Sequence, residues 1–439
     1  MSDAKKDLFS SRWGFILACA ASAVGMGNIW LFPYRAGELG GAMFLIPYVI
    51  CVAVLGFTAI IGEITLGRLT GSGPILAFRK ALELKGKTGF AVKAGEFLGW
   101  IPVLTVFIIG LGYTVIVAWV LRFLAGSVSG TAFSAAGSET YFNSVTGNSI
   151  LLWIAFVLLF VIITMLNGVE KGIEKAGKFM LPAFLILFLV LAVRVMFLPN
   201  AFEGYKYLFT PRWEFLFIPR TWILALGQAF YSLSIFGSIM IVYGSYAKKS
   251  ENIVSSARNV AIIDTLASVI ASLVIIPAVF AFGIDIASGP SLMFITMPDI
   301  FKTMAFGRTF MIIFFVAVFF AAVTSLISIL EVVIETLQNR FAVKRVYAVL
   351  LTGAVTFICN IFIEGNIGKF MDILEIHFVP FCALAAGIFA FWIVPPEILK
   401  SEISKGLGKP AGNLIVYAGR YVFCSLVIII YLLNIFYTA

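Results

Sequence analysis

The stretch Ala20–Trp30, AASAVGMGNIW, lies within an apolar run over 13–36, yet it places Ser22, Gly25, Gly27 and Asn28 near mid-membrane depth. A helix crossing lipid must satisfy its own backbone, so a break there predicts irregular chain buried in protein or lining a cavity. Glycine weakens the helix, while serine and asparagine offer the backbone other partners. A second stretch, Gly227–Ser238, GQAFYSLSIFGS, sets Gln228, Ser232, Ser234, Gly237 and Ser238 at similar depth in a later apolar run. One such patch alone reads equally well as small residues that let helices pack closely. The pair, opening two successive sets of five helices, predicts broken helices in matching halves of an inverted repeat. Half-helix N-termini then offer free N–H groups to an anion, and freed carbonyls offer oxygen to cations.

The rest of the chain fits that frame. Hydrophobic residues make up 61% of the 439 and charged ones 12%, with a mean hydropathy of +1.06. A soluble surface needs roughly a quarter of its residues charged, so most of this surface meets lipid. Apolar runs over 13–36, 42–66, 97–123, 151–167, 179–198, 222–243, 260–284, 310–336, 346–363, 370–394 and 414–437 predict about eleven spanning helices. The expected fold is an all-α membrane protein in one transporter domain, 1–439. A first repeat runs over about 12–200, a second over about 221–395, and an eleventh helix over about 412–438.

Lys and Arg concentrate in one set of loops, including Lys5, Lys6, Arg79, Lys80, Lys87, Lys93, Lys248, Lys249, Arg340 and Arg345. That bias predicts a cytoplasmic N-terminus and, with an odd helix count, an outside C-terminus in a plasma or inner membrane. The net charge of +9 is then topological and gives no motive for binding nucleic acid. No cleavable signal peptide is expected, because the start is polar and the first apolar run is too long. The loops are short; the stretches 126–148, 199–220 and 288–308 are expected to carry small helices. SGPSLMFITMPDIF, at 288–301, is amphipathic enough for an outer lid.

Cys19, Cys51, Cys359, Cys382 and Cys424 share no metal spacing and read as small buried hydrophobes. His377 is the single histidine, in a late apolar run, and reads as structural or pathway-lining. Neither a nucleophile–base pair nor a phosphate-binding loop is evident, so no enzyme is expected. Other polar groups at lipid depth are Tyr113, Asp264, Ser268, Thr324 and Ser325. An intramembrane carboxylate is a functional candidate by default, whereas Thr324 and Ser325 also read as hydroxyls bonding back to their own helix. Glu63 and Glu331 show no evident partner and read as helix-contact or pathway residues.

At RWGFILACAASAVGMGNIWLFPY, GGAMFLIPY, GEITLGR, ALGQAFYSLS, YGSY and FFAAVTSLIS, in that order, the chain resembles the neurotransmitter:sodium symporter family, in its bacterial amino-acid type with eleven helices. The resemblance implies two sodium sites. One would use carbonyls of Ala21, Val24 and Ala321 with hydroxyls of Thr324 and Ser325. The other would use Ala23, the Asn28 side-chain oxygen, Ser232, Asp264 and the substrate carboxylate. Hard oxygen ligands suit such an ion. The substrate implied is an α-amino acid, its carboxylate at the N–H groups near Met26 and Gly27 and at the Tyr113 hydroxyl, its ammonium at carbonyls near Ala23, Tyr231 and Ser234. Ser232, Ser325, Ile109 and Ile329 complete the binding residues, and the apolar surroundings point to an apolar or aromatic side chain. Gly25 stands where amine carriers of the family have an aspartate, which favours an amino acid.

The chain departs from the family pattern at Leu31, where an arginine is usual, at Phe236 in place of a glycine, and at Lys6, Phe9 and Asn339 on the inner side. Arg35, one helical turn beyond Leu31, is expected to reach Asp372 or Glu375 as an outer gate, alongside Tyr113 and Tyr231. Tyr48, Gln228, Ser232 and Ser268 resemble the family's chloride-site donors, but Asp264 supplies a negative charge there, so chloride is not expected to be required. The function expected is sodium-coupled uptake of an amino acid by alternating access. Sodium-independent or proton-coupled exchange, a channel and a membrane enzyme are the alternatives. The oligomeric state and the particular amino acid are not readable.

Overall fold

The computed structural model describes residues 7–145, 149–283, 292–363 and 373–438, and among them the chain is helical, without strands. Among the described residues, seven helices are long and apolar enough to cross a membrane unbroken, including Ala42–Thr70, Ile253–Ala281 and Gly307–Phe341. Three more candidates are bent pairs: Arg12–Ala23 with Gly27–Glu38 at 58°, Ser138–Val145 with Ile150–Leu166, and Val379–Ile393 with Pro396–Ser404. The sixth predicted span is cut into Pro219–Ser232 and Ile239–Ser245. Each predicted apolar run therefore has a helical counterpart. A broken span followed by four others occurs twice, and a last helix, Asn413–Leu432, closes the chain.

Lipid-facing surface is legible along single helices. Leu152, Phe156, Leu159 and Ile163 form one stripe at helical spacing and are each about half exposed, which places that face of the fourth span against hydrocarbon. Four of the five cysteines are buried and all are free; no cluster of His, Cys, Asp or Glu able to hold a metal occurs among the described residues. His377 is exposed on the bundle surface.

The broken spans lie inside the bundle. Arg12–Ala23 packs on the fifth, seventh and eighth spans, and Ile239–Ser245 packs on the second. That last contact is very close. A Cβ on Gly67 would lie 1.8 Å from the Ile241 carbonyl oxygen, and one on Gly244 would lie 2.4 Å from that of Ile64. Only glycine admits such an approach.

The stretches 126–148, 199–220 and 288–308 carry short helices as expected, including Ser138–Val145, Ala201–Phe209 and Met297–Thr303. Asp299 accepts hydrogen bonds from the Ser138 backbone N–H at 3.1 Å and hydroxyl at 2.6 Å, and Phe294 stacks on Phe142. The stretch read as a lid is therefore tied to helix Ser138–Val145; its first four residues, 288–291, lie outside the described residues. On the basic side, the basic and polar stretch 70–94 carries helix Pro74–Leu84 and the start of helix Phe90–Leu98.

Candidate functional site

The first break begins where Val24 turns extended (φ −69°, ψ 111°), and the chain re-enters a helix through a π-helical turn, Gly27–Leu31. Close packing explains the glycines here. A Cβ on Gly25 would sit 2.7 Å from the Tyr113 hydroxyl and 2.8 Å from the Ser325 hydroxyl, and one on Gly27 would press on the Tyr231 ring at 2.8 Å. An aspartate at position 25 would meet the same two hydroxyls. The second break runs from Leu233 to Ser238, with Ser234 (φ +52°) and Gly237 (φ +66°) left-handed. Gly237 has no room for a Cβ, which would lie 2.4 Å from the Cys382 carbonyl oxygen. Its N–H donates to Glu63 at 3.0 Å. Glu63 thus pins the unwound linker to the second span, a role that its lone position in an apolar helix hinted at without naming the partner.

Between the breaks lies a small cavity of about 30 Å³. All ten predicted substrate-binding residues line it: Ala23, Met26, Gly27, Ile109, Tyr113, Tyr231, Ser232, Ser234, Ser325 and Ile329. Ser22, Gly25 and Phe236 join them. At its polar end the Met26 N–H donates to the Tyr113 hydroxyl at 3.2 Å. The Ser22 carbonyl accepts from Ser234 at 3.1 Å and Ser325 at 3.2 Å, joining both breaks to the eighth span. The apolar end is formed by Ile109, Ile329 and Phe236, whose ring meets Tyr231 edge-on at 6.2 Å.

Beside the cavity, Asp264 is fully buried. Its carboxylate accepts from Tyr48 at 3.0 Å, from Ser232 at 2.8 Å and from the Asn28 amide nitrogen at 2.7 Å. The same amide nitrogen also donates to the Ser268 hydroxyl at 2.9 Å, while the Asn28 oxygen accepts from Gly25 N–H at 2.9 Å. Three of the four residues read as chloride-type donors therefore gather at Asp264. Gln228 does not. Its amide nitrogen donates to the Gly27 carbonyl at 2.9 Å, and its oxygen accepts from Arg35 at 3.1 Å. Arg35 also donates to the Leu224 carbonyl at 3.2 Å, so this arginine and glutamine tie Gly27–Glu38 to Pro219–Ser232, one half of each broken span. Asp372 and the Glu375 side chain lie outside the described residues.

The second oxygen cluster is equally compact. Ser325 donates to the carbonyls of Val24 at 3.2 Å and Ala321 at 3.3 Å, and Thr324 donates to Ala321 at 3.0 Å. Ala21 and Thr324 line one small cavity. These hydroxyls bond back to their own helix, as the structural reading of Thr324 and Ser325 had it, and Ser325 also reaches the first break.

On the basic side, Glu331 has the partner that its sequence position concealed. Arg345 holds it through two parallel bonds of 2.9 Å, and the Tyr246 hydroxyl donates to it at 2.8 Å. Phe9 is buried against Phe15, Tyr243 and Tyr246, and the Asn339 amide donates to Glu335.

The sequence profile described as Sodium:neurotransmitter symporter family matches residues 6–148 and 142–438. A sodium-dependent transporter of Bacillus subtilis, YhdH, is 34% identical over 99% of both chains. One from Methanocaldococcus jannaschii, MJ1319, is 30% identical over 92% of this chain and 85% of its own. Among solved structures, MhsT in complex with L-phenylalanine superposes with a TM-score of 0.86 at 30% identity, covering 97% of this chain and 99% of its own. Paired helix breaks, the cavity between them and these matches along nearly the whole length have one common account: the chain belongs to the sodium:neurotransmitter symporter family.

Proposed function

We propose that this protein is a sodium-coupled symporter that takes up an amino acid with an apolar or aromatic side chain by alternating access. The observation that carries the reading is the cavity between the two breaks. Its polar end offers a helix-start N–H and a tyrosine hydroxyl to a carboxylate, its far end is apolar, and a buried carboxylate sits beside it. The MhsT complex with L-phenylalanine favours the same substrate class.

Two sodium ions travel with the substrate. One is held by Ala23, Asn28, Ser232, Asp264 and the substrate carboxylate. The other is held by Ala21, Val24, Ala321, Thr324 and Ser325. Asn28 presents its oxygen to sodium only after a half-turn of the amide, because its nitrogen faces Asp264. Thr324 and Ser325 likewise hand the carbonyls they now bond to the ion. Asp264 supplies the balancing negative charge, so chloride is not required. The N-terminus lies in the cytoplasm and the C-terminus outside the cell membrane. The repeats run over about 12–200 and 221–395.

Asn28→Ala and Ser325→Ala each remove one ligand oxygen, and each should cut sodium-dependent binding sharply while the protein still inserts. Counterflow of labelled amino acids in proteoliposomes, with and without sodium, is the measurement. Native uptake unchanged in sodium-free buffer would falsify the symporter reading.

Arg35 is the outer latch, with Gln228 and the acid at Asp372 as its partners, and Tyr113 and Tyr231 beneath it. In a double-mutant cycle on substrate dissociation, Arg35→Met and Gln228→Ala should couple by about 0.5–3 kcal/mol. Strictly additive effects would remove Gln228 from the latch.

A further inference from the structure

On the basic side of the bundle, helices Pro74–Leu84 and Phe90–Leu98 meet the end of the eighth span around an open groove of about 700 Å³. Its charges do not cancel. Glu96 is shared by Arg340 at 2.6 Å and Arg79 at 3.3 Å, and Arg79 also pairs with Glu83 at 2.9 Å. Both carboxylates are thus engaged with the two arginines. Lys87 and Lys93 line the same groove, are exposed, and have no ion pair or hydrogen bond from their side chains among the described residues. A second observation is independent of charge. Phe90, Lys93 and Phe97 follow at helical spacing on one face, and the two phenylalanines are 86% and 71% exposed. An exposed aromatic pair flanking a cation on a short amphipathic helix is the pattern of a segment lying at the membrane–water boundary.

We infer that this groove binds the headgroup of an anionic phospholipid, with Lys87 and Lys93 on its phosphate and Phe90 and Phe97 against its acyl chains. Charge selects the class, since two unpaired ammonium groups favour an anionic over a zwitterionic headgroup. The aromatic stripe selects a lipid over a free phosphate, because a soluble anion has nothing to place against Phe90 and Phe97. The inference rests on the membrane location and is independent of which solute is carried.

The test uses the full-length protein in neutral detergent, titrated with phosphatidylglycerol or phosphatidylcholine, with bound lipid counted by native mass spectrometry. Phosphatidylglycerol should bind in preference to phosphatidylcholine. The K87Q/K93Q variant should weaken phosphatidylglycerol binding about 25-fold, about fivefold per lysine, and leave phosphatidylcholine unchanged. A K400Q/K409Q control should bind as the native protein does. Inorganic phosphate at millimolar concentration should not displace the lipid. Equal binding of the two lipids, an unaffected double variant, or displacement by phosphate would each overturn the proposal, the last by marking a free-anion site.

Discussion

Asp264→Asn is expected to silence uptake in chloride-free buffer, while native uptake is indifferent to replacing chloride by gluconate. The substitution keeps the shape of the side chain and removes its charge from a fully buried cluster of Tyr48, Ser232 and Asn28. Opposite unit charges about 4 Å apart interact by about 4 kcal/mol at an effective dielectric constant near 20, so sodium affinity should fall about a thousandfold. Tyr48, Ser232 and Ser268 still gather at that point. Chloride added to the variant therefore has donors to meet, and either partial rescue or continued silence fits the reading. Native uptake that stops without chloride sinks it, as does an Asp264→Asn variant that transports normally in gluconate.

The second large effect is on stability. Glu331 is fully buried and held by both terminal nitrogens of Arg345, and Arg345 Nε donates to the Met165 carbonyl at 2.9 Å. Removing one partner of a buried ion pair costs about 3–5 kcal/mol, because the other charge stays behind uncompensated. Glu331→Ala should accordingly lower the thermal midpoint markedly and remove the Glu331 acceptor from the Tyr246 hydroxyl; the Tyr246 carbonyl accepts the Phe9 N–H at 3.1 Å. The double variant Glu331→Leu with Arg345→Met should lose less than either single change. A double loss equal to the sum of the singles would show that the pair contributes only packing.

The two breaks were legible in the sequence because Gly25, Gly27, Asn28, Ser232 and Ser234 are conspicuous against lipid-compatible neighbours. The same contrast exposed Asp264. Partnerships were another matter. Glu331 and Arg345 are fourteen positions apart around a helix end, and no periodicity pairs them. Gln228 sits one turn before Ser232 and looked equally able to join the Asp264 cluster; the bend of the first span turns it toward Gly27 and Arg35 instead. The helices at 74–84 and 90–98 were hidden by composition, since a half-wet helix at a membrane boundary is polar overall and shows itself only by spacing.

The glycine contact between Ala42–Thr70 and Ile239–Ser245 has a consequence for biosynthesis. Seven helical residues rise about 10 Å, a third of the hydrocarbon thickness of about 30 Å, so this segment cannot be stabilised in lipid as a span in its own right. Its resting place is the notch at Gly67, made in the chain more than 170 residues earlier (about ten to thirty seconds at ordinary elongation rates). That contact can form only once both segments have been made, so the stretch after the second break is seated on a partner synthesised long before it.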